Sequence, residues 1–202
     1  RMATGIQGLA VADLAFQKAR AYATERVQGR VIGHESGAPI AEHPDVRRLL
    51  LSMASRVTAM RALAVQTAAW LDLSHPLGQM FLPVLKGWLT ETGVEIASDA
   101  IQVHGGAGYI EETGVAQQLR DARILPIFEG TTAVQANHLV SRLLARDSGA
   151  TALGTLDLID ETREELVALA HPTATRLARR LESSVVLVRA ATLHLLRGGD
   201  GG

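Results

Sequence analysis

Apolar residues recur at alternating intervals of four and three between residues 46 and 71, and this spacing constrains the fold more than any other feature of the chain. The positions are Val46, Leu50, Met53, Val57, Met60, Ala64, Thr67 and Leu71, with Thr67 as the one polar member. Such a seam places all its members on one face of an α-helix, whereas a strand would need alternate residues to share a face. The stretch is therefore predicted to be a bundle helix that begins at Pro44, a residue suited to the first helical position, and ends near residues 73–76.

In most of the remaining chain the apolar residues also recur at the spacing of a helix. Helices are predicted over residues 4–28, 76–103, 113–123, 132–146, 151–170 and 173–197, with a break or kink at Pro83 and a loop over residues 29–43. Gly5 and Gly8 leave room for close contact with another helix. Because the connections between the long helices are short, neighbouring helices should run antiparallel. The predicted fold is all-α: an antiparallel up-and-down helical bundle over residues 1–146, with a helical extension over residues 147–202.

Composition supports helices and narrows the classes of function. Apolar residues make up 47% of the chain and aromatic residues only 3%, so the core should consist of packed Ala, Leu and Val side chains. A formal net charge of −1 offers no basic surface to nucleic acid, and no apolar run reaches the ~20 residues of a membrane helix. Cysteine is absent and the seven His residues show no ligand spacing, so we expect no disulfide, no metal site and a cytoplasmic location.

A single carboxylate, that of Glu129, lies between the apolar run of residues 124–128 and Gly130. Against apolar surface the pKa of this carboxyl would rise towards the range of a general base, and Gly130 would let the backbone come close to a ligand. Thr131 or Thr132 could cap the following helix, whose free N–H groups suit an anion. The alternative is a solvated glutamate in front of a helix, which is the commoner state of such residues.

The glycine cluster of Gly105, Gly106 and Gly108 also has two interpretations. These residues could end the preceding helix in a left-handed turn, which is the commonest use of glycines at this position. They could equally let the main chain press against a phosphate or a sugar. The local sequence does not choose between the two.

Three segments together carry a resemblance to a known family. They read Gln102-Val103-His104-Gly105-Gly106-Ala107-Gly108-Tyr109, Arg120-Asp121-Ala122-Arg123 and Phe128-Glu129-Gly130-Thr131. Their order and spacing resemble the C-terminal helical domain of the FAD-dependent acyl-CoA dehydrogenases, and Tyr22-Ala23-Thr24-Glu25-Arg26 matches the end of an earlier helix of that domain. The resemblance covers residues 1–146. The rest resembles the extra helical segment of a larger bacterial branch, and its glycine-rich end is interpreted as a flexible tail or a shortened linker.

The resemblance implies roles for individual residues. Glu129 would take the α-proton of an acyl-CoA while FAD accepts the β-hydride, and Gly130 would leave room for the substrate. The residues implied to contact FAD are Arg26, Gln102, Gly105, Gly106 and Thr131. Of these, Arg26 and the segment 102–106 would reach a flavin bound by a neighbouring subunit. Two departures limit the comparison: Ala133 replaces a glutamine of the family, and Gln28-Gly29 replaces Gln-Phe-Gly.

The implied protein is a homo-oligomer, a dimer or a tetramer, that converts an acyl-CoA to a trans-2-enoyl-CoA and passes electrons to an electron-transfer flavoprotein. Two alternatives stay open: an acyl-CoA oxidase, which shares the same base, and a helical module that lends FAD contacts and subunit interfaces without chemistry. Retention of Glu129 within Phe-Glu-Gly-Thr favours an enzyme. The N-terminal helical and middle β-domains of the family have no counterpart in this sequence, so the chain is interpreted as a fragment that starts inside a helix at Arg1.

Overall fold

The computed structural model describes residues 1–31, 33 and 37–198, and these residues are largely helical. The helices are α1 (Met2–Glu25), α2 (Pro44–Asp72), α3 (Pro76–His104), the single turn α4 (Gly106–Tyr109), α5 (Val115–Ile124), α6 (Thr132–His138), α7 (Ala150–Ala168) and α8 (Pro172–Gly198). Helix α6 continues into a π-helical segment, Leu139–Leu144. Within the described ranges there is no strand, only an isolated β-bridge between Val27 and Pro39, and the all-α prediction is confirmed.

Parts of two predicted segments, residues 32 and 34–36 of the loop and residues 199–202 of the glycine-rich end, lie outside the described residues. Within the ranges that are described, no helix combines the length and the apolar character needed to cross a membrane.

The first three helices run up, down and up. Helix α2 runs antiparallel to α3 as predicted, because Arg56 pairs with Glu95 while Trp70, nearer the end of α2, packs against Phe81, nearer the start of α3. Helices α1 and α3 run in the same direction, since Gly5 lies against Leu85 and Tyr22 stacks on His104, and they form the most extensive helix pair of the described chain. The inner face of α1 consists of small, fully buried side chains: Ala12, Ala15, Ala19 and Ala23.

Glycine lets α1 and α3 approach backbone to backbone. A Cβ atom on Gly8 would lie 2.8 Å from the carbonyl oxygen of Leu89, and one on Gly93 would lie 3.0 Å from the carbonyl oxygen of Gly8. A Cβ on Gly5 would lie 2.1 Å from the Leu85 side chain. The predicted close contact of Gly5 and Gly8 with another helix is confirmed, and that helix is α3.

The seam of α2 faces the core as predicted. Its central members, including Thr67, are buried, and Val46, Leu50 and Leu71 at its ends are partly buried. The Thr67 hydroxyl has no hydrogen-bond partner among the described residues. The predicted inner face of α3 is also buried: Leu85, Leu89, Ile96, Ala100 and Val103.

Two predicted boundaries are wrong. Helix α1 ends at Glu25 instead of residue 28, because Arg26 turns to an extended conformation and its carbonyl accepts a hydrogen bond from Ile40 N at 2.7 Å. Helix α3 runs through Pro83 without interruption. Pro83 follows the helix start by only seven residues, so the carbonyl that its ring crowds belongs to the first turn, where the helix can adjust.

Helices α7 and α8 form a hairpin that contacts α3 and the π-helical segment. The Asp147 carboxylate opens α7 by accepting hydrogen bonds from Gly149 N at 3.1 Å and Thr151 N at 3.0 Å. Arg189 of α8 pairs with Asp157 and Asp160 of α7 at 2.9 and 3.2 Å. The hairpin thus has its own cap and its own ion pairs, while the division of the chain at residues 146 and 147 stays a prediction.

Candidate functional site

Glu129 lies in a left-handed turn between α5 and α6. Its φ angle is +55°, and that of Gly130 is +90°. A non-glycine residue rarely adopts a positive φ, because its Cβ approaches the backbone carbonyl oxygen that follows. Thr131 caps α6, since its Oγ1 accepts a hydrogen bond from Val134 N at 3.3 Å, whereas Thr132 Oγ1 donates to Glu91 Oε1 at 2.6 Å. Of the two candidate caps, the structure therefore uses Thr131.

The carboxylate of Glu129 points towards the start of α1. Its Oε2 accepts a hydrogen bond from the buried Thr4 hydroxyl. The hydrogen bond from Thr4 is the largest cause of a lowered pKa of Glu129, and it outweighs the opposing effect of burial.

The expected upward shift of the Glu129 pKa is therefore wrong in this chain. The side chain is 50% exposed, so desolvation is weaker than the hydrogen bonds that favour the charged form. Ile127 and Phe128 are themselves 47% and 39% exposed and do not enclose the carboxylate. What the apolar run supplies is uncovered apolar surface beside Glu129.

Two buried polar side chains that the sequence analysis missed hold this turn. Lys86 of α3 donates from Nζ to the carbonyl oxygen of Gly130 at 2.7 Å. Gln135 of α6 donates from Nε2 to the carbonyl oxygens of Glu129 and Gly130 at 3.3 and 3.1 Å. A sequence signal for Lys86 does exist, because it is the only Asp, Glu, Lys or Arg between Asp72 and Glu91.

The other predicted residues gather at the opposite end of α1. Arg26 follows the last residue of α1, and its exposed guanidinium donates to Gln28 Oε1 at 3.2 and 3.0 Å. Gln102 is exposed in the last turn of α3, which ends at Gly105 with a φ of +59°. Apart from the adjacent residues and the backbone of its own helix, no atom of the described residues lies within 4 Å of the position that a Cβ would occupy at Gly105 or Gly106. Tyr22 stacks on His104 with ring centroids 4.3 Å apart, which fixes the end of α1 beside the glycine cluster.

The structure thus separates the predicted site residues into two groups. Glu129, Gly130 and Thr131 form the base cluster at the start of α1, and Arg26 and Gln102 lie beside Gly105 and Gly106 of the glycine cluster at its end. From Thr4 to Arg26 the helix rises about 33 Å, at about 1.5 Å per residue. A ligand bound to one copy of this chain would need that length to contact both clusters.

Comparison with known proteins gives consistent matches. The family model described as "Acyl-CoA dehydrogenase, C-terminal domain" matches residues 1–144. The 3-methylmercaptopropionyl-CoA dehydrogenase of Ruegeria pomeroyi is 44% identical over 209 aligned residues, which cover 97% of this chain and 35% of that protein. The butyryl-CoA dehydrogenase of Megasphaera elsdenii, a solved structure, is 29% identical with a TM-score of 0.63, over 71% of this chain and 36% of that one.

The α7–α8 hairpin also has a structural counterpart. The apo form of the protein Bd2924 matches 97% of this chain and 40% of its own, with a TM-score of 0.69 and 21% identity, so this likeness concerns the fold alone. The present chain spans about a third of the length of the R. pomeroyi relative.

Proposed function

The chain belongs to the acyl-CoA dehydrogenase family through the C-terminal domain of those proteins, and on this basis we propose that it supplies the catalytic base of an FAD-dependent acyl-CoA dehydrogenase. The reaction removes one hydrogen from the α-carbon and one from the β-carbon of an acyl-CoA and leaves a trans-2-enoyl-CoA. The observation that carries the proposal is the Glu129 carboxylate, held by Thr4 on a turn that two buried side chains fix from behind.

Glu129 has the properties of a base for this reaction. The α-proton of a thioester is only weakly acidic, so its removal needs an anionic acceptor that is already in position. The hydrogen bond from Thr4 favours the anionic form of the carboxylate, and its half-exposed position leaves it open to a substrate. Among the described residues the N–H of Glu129 donates no hydrogen bond, which leaves it free to bind the thioester oxygen as negative charge develops there.

The glycine cluster fits the phosphate-containing half of FAD. The Arg26 guanidinium is exposed and can pair with two phosphate oxygens, and the space around Gly105 and Gly106 lets the backbone come close to a ligand. Gln102 offers an exposed amide beside them. When bound, FAD supplies the acceptor for the hydride that leaves the β-carbon. Thr131, next to Glu129, would contact the flavin of the chain's own site.

The distance between the two clusters favours a homo-oligomer. Because about 33 Å of α1 separates them, the base cluster and the glycine cluster of one copy are proposed to serve two different flavins. Each flavin would then lie between two copies, so at least a dimer is required. An electron-transfer flavoprotein is the proposed acceptor of the electrons that the substrate releases.

The substitution Glu129→Gln in the full-length gene product tests the proposal, because it nearly keeps the shape of the side chain and removes the base. We expect FAD and acyl-CoA to bind and flavin reduction to slow at least ~10²-fold, the lower end of what a positioned base contributes. Stopped-flow bleaching of the flavin measures this rate. Butyryl-CoA and 3-methylmercaptopropionyl-CoA, the substrates in the names of relatives, are the first compounds to use.

The matched control is Glu182→Gln on the exposed surface of α8, which should reduce its flavin at the wild-type rate. Undiminished bleaching in Glu129→Gln would mean that the base lies elsewhere. That result would favour the alternative of a helical module without chemistry of its own.

A further inference from the structure

Lys86 is the largest fully buried side chain in the described part of the chain. Lysine is almost never fully buried, because an ammonium loses its hydration when it leaves water. Burial lowers the pKa of Lys86, and the negative charges of Glu129 and Glu91 partly offset that effect. Burying this ammonium therefore costs hydration free energy, and the packing of the core does not require a charged group here.

The ammonium lies behind the turn that carries Glu129. It donates to the carbonyl oxygen of Gly130, which also accepts a hydrogen bond from Gln135. A larger residue at Gly130 would be strained, because its φ is +90°, and its Cβ would lie 2.9 Å from Gln135 Nε2, so the amide that holds the turn would have to move. The two consecutive left-handed residues therefore persist because buried donors hold their carbonyl groups.

These contacts reach the backbone of the turn and leave the carboxylate to the Thr4 hydroxyl. An apolar side chain of similar length would fill the space of Lys86 without the loss of hydration, and such replacements of buried charges are often neutral or stabilising. What it could not supply is a hydrogen bond to Gly130 and a positive charge close to Glu129. These two contributions to the Glu129 site therefore explain why residue 86 is a lysine.

We propose that Lys86 is a positioning residue for proton abstraction: it fixes the Glu129–Gly130 turn from behind and favours the anionic state of the carboxylate. This inference rests on the proposed function, since it assumes that Glu129 is the base. Glu91, which accepts a hydrogen bond from Thr132, is the other charged group that acts on Lys86, and it is unchanged in the test.

The test is Lys86→Met in the full-length gene product, with flavin reduction by butyryl-CoA or the better substrate followed across pH. We expect reduction to slow about ten- to a hundredfold, the cost of a displaced reacting group. The acid limb of the pH profile should also move to higher pH, because loss of a nearby positive charge favours the protonated carboxyl. A lysine that only supports the fold would not move this limb.

The substitution Gln135→Met separates the effect of the position of the turn from the effect of the charge of Lys86. It removes the other donor to Gly130 without changing any charge, so it should slow flavin reduction and leave the acid limb where it is. If Lys86→Met yields too little folded protein for kinetics, Gln135→Met decides alone: a wild-type rate would overturn the positioning role of these contacts.

A double variant distinguishes failure of this inference from failure of the proposed function. In a Glu129→Gln background, Lys86→Met should cause no further slowing, because its effect acts through the missing base. Equal slowing in both backgrounds, or a wild-type rate and an unmoved acid limb in Lys86→Met alone, would overturn the inference and leave Glu129 as the base. Undiminished reduction in Glu129→Gln alone would instead reject the proposed function.

Discussion

At the scale of single residues, the Glu129 carboxylate depends on a threonine that lies 125 positions earlier in the chain. Thr4 is 2% exposed, and its hydroxyl is the largest cause of the lowered pKa of Glu129. Such a hydrogen bond stabilises the charged carboxylate more than the neutral acid. Thr4 therefore influences the pH at which the proposed base becomes active.

The substitution Thr4→Val removes this hydroxyl with little change of shape. The pKa of Glu129 should rise towards its ordinary value, so the acid limb of the flavin-reduction profile should move to higher pH while the rate at high pH changes little. Stopped-flow reduction across pH measures both quantities. Thr58→Val is the matched control, since its hydroxyl donates to Ala54 O on the exposed side of α2. An acid limb that stays in place in Thr4→Val would show that Thr4 does not set this pKa.

The sequence located Glu129, its glycine and its threonine cap but not their partners. Gly130 and Thr131 act within the turn, and their roles follow from neighbouring residues. Thr4 and Lys86 come from helices that lie far away in the chain, and nothing in local spacing indicates that they meet the turn. The direction of the pKa shift was wrong for the same reason, because it depended on these distant donors.

At the scale of helices, the contact between α1 and α3 depends on glycine at the crossing. Gly8→Ala should lower the free energy of unfolding by about 1–3 kcal/mol, because its Cβ would overlap the backbone of Leu89. Gly154→Ala on α7 is the matched control: its Cβ would meet no atom within 4 Å, and the change should raise the free energy of unfolding by about 0.5–1 kcal/mol. Denaturant unfolding measures both, and a Gly8→Ala variant as stable as wild type would contradict the close packing.

The helices themselves were predictable because each shows its apolar face in consecutive turns. The centre of the α2 seam and the inner face of α3 are buried as predicted, although the Thr67 hydroxyl has no partner among the described residues and an apolar residue could have replaced it. The end of α1 was not predictable, since it depends on a hydrogen bond from Ile40. The π-helical turns after His138 likewise have no signal in the spacing.

At the scale of the whole molecule, the two clusters at opposite ends of α1 lead to a prediction about mixed oligomers. Glu129→Gln should reduce its flavin slowly, and Arg26→Ala should bind FAD weakly at the site of its partner. When the two variants are co-expressed, about half of the dimers should contain one chain of each kind. Each mixed dimer has one of its two sites with both Glu129 and Arg26 intact, so about a quarter of all sites should regain flavin reduction. Flavin reduction in the co-purified mixture measures this fraction.

A mixture of Glu129→Gln with Lys86→Met is the control, because both changes lie at the same end of α1 and no intact site can form. Its activity should not exceed the mean of the two separate variants. The same result for the mixture with Arg26→Ala would mean that the clusters are not shared between copies.

The length of α1 then has a consequence for inheritance. A cell that carries two different defective alleles of this gene can be rescued or not according to where the defects fall along one helix. Under the proposed sharing of flavins between copies, lesions at opposite ends would complement each other, whereas lesions at the same end would behave as a single defect. A cell with one normal allele and one allele altered at Arg26 would lose activity in sites whose own base is intact, so part of the damage would appear in the normal chain.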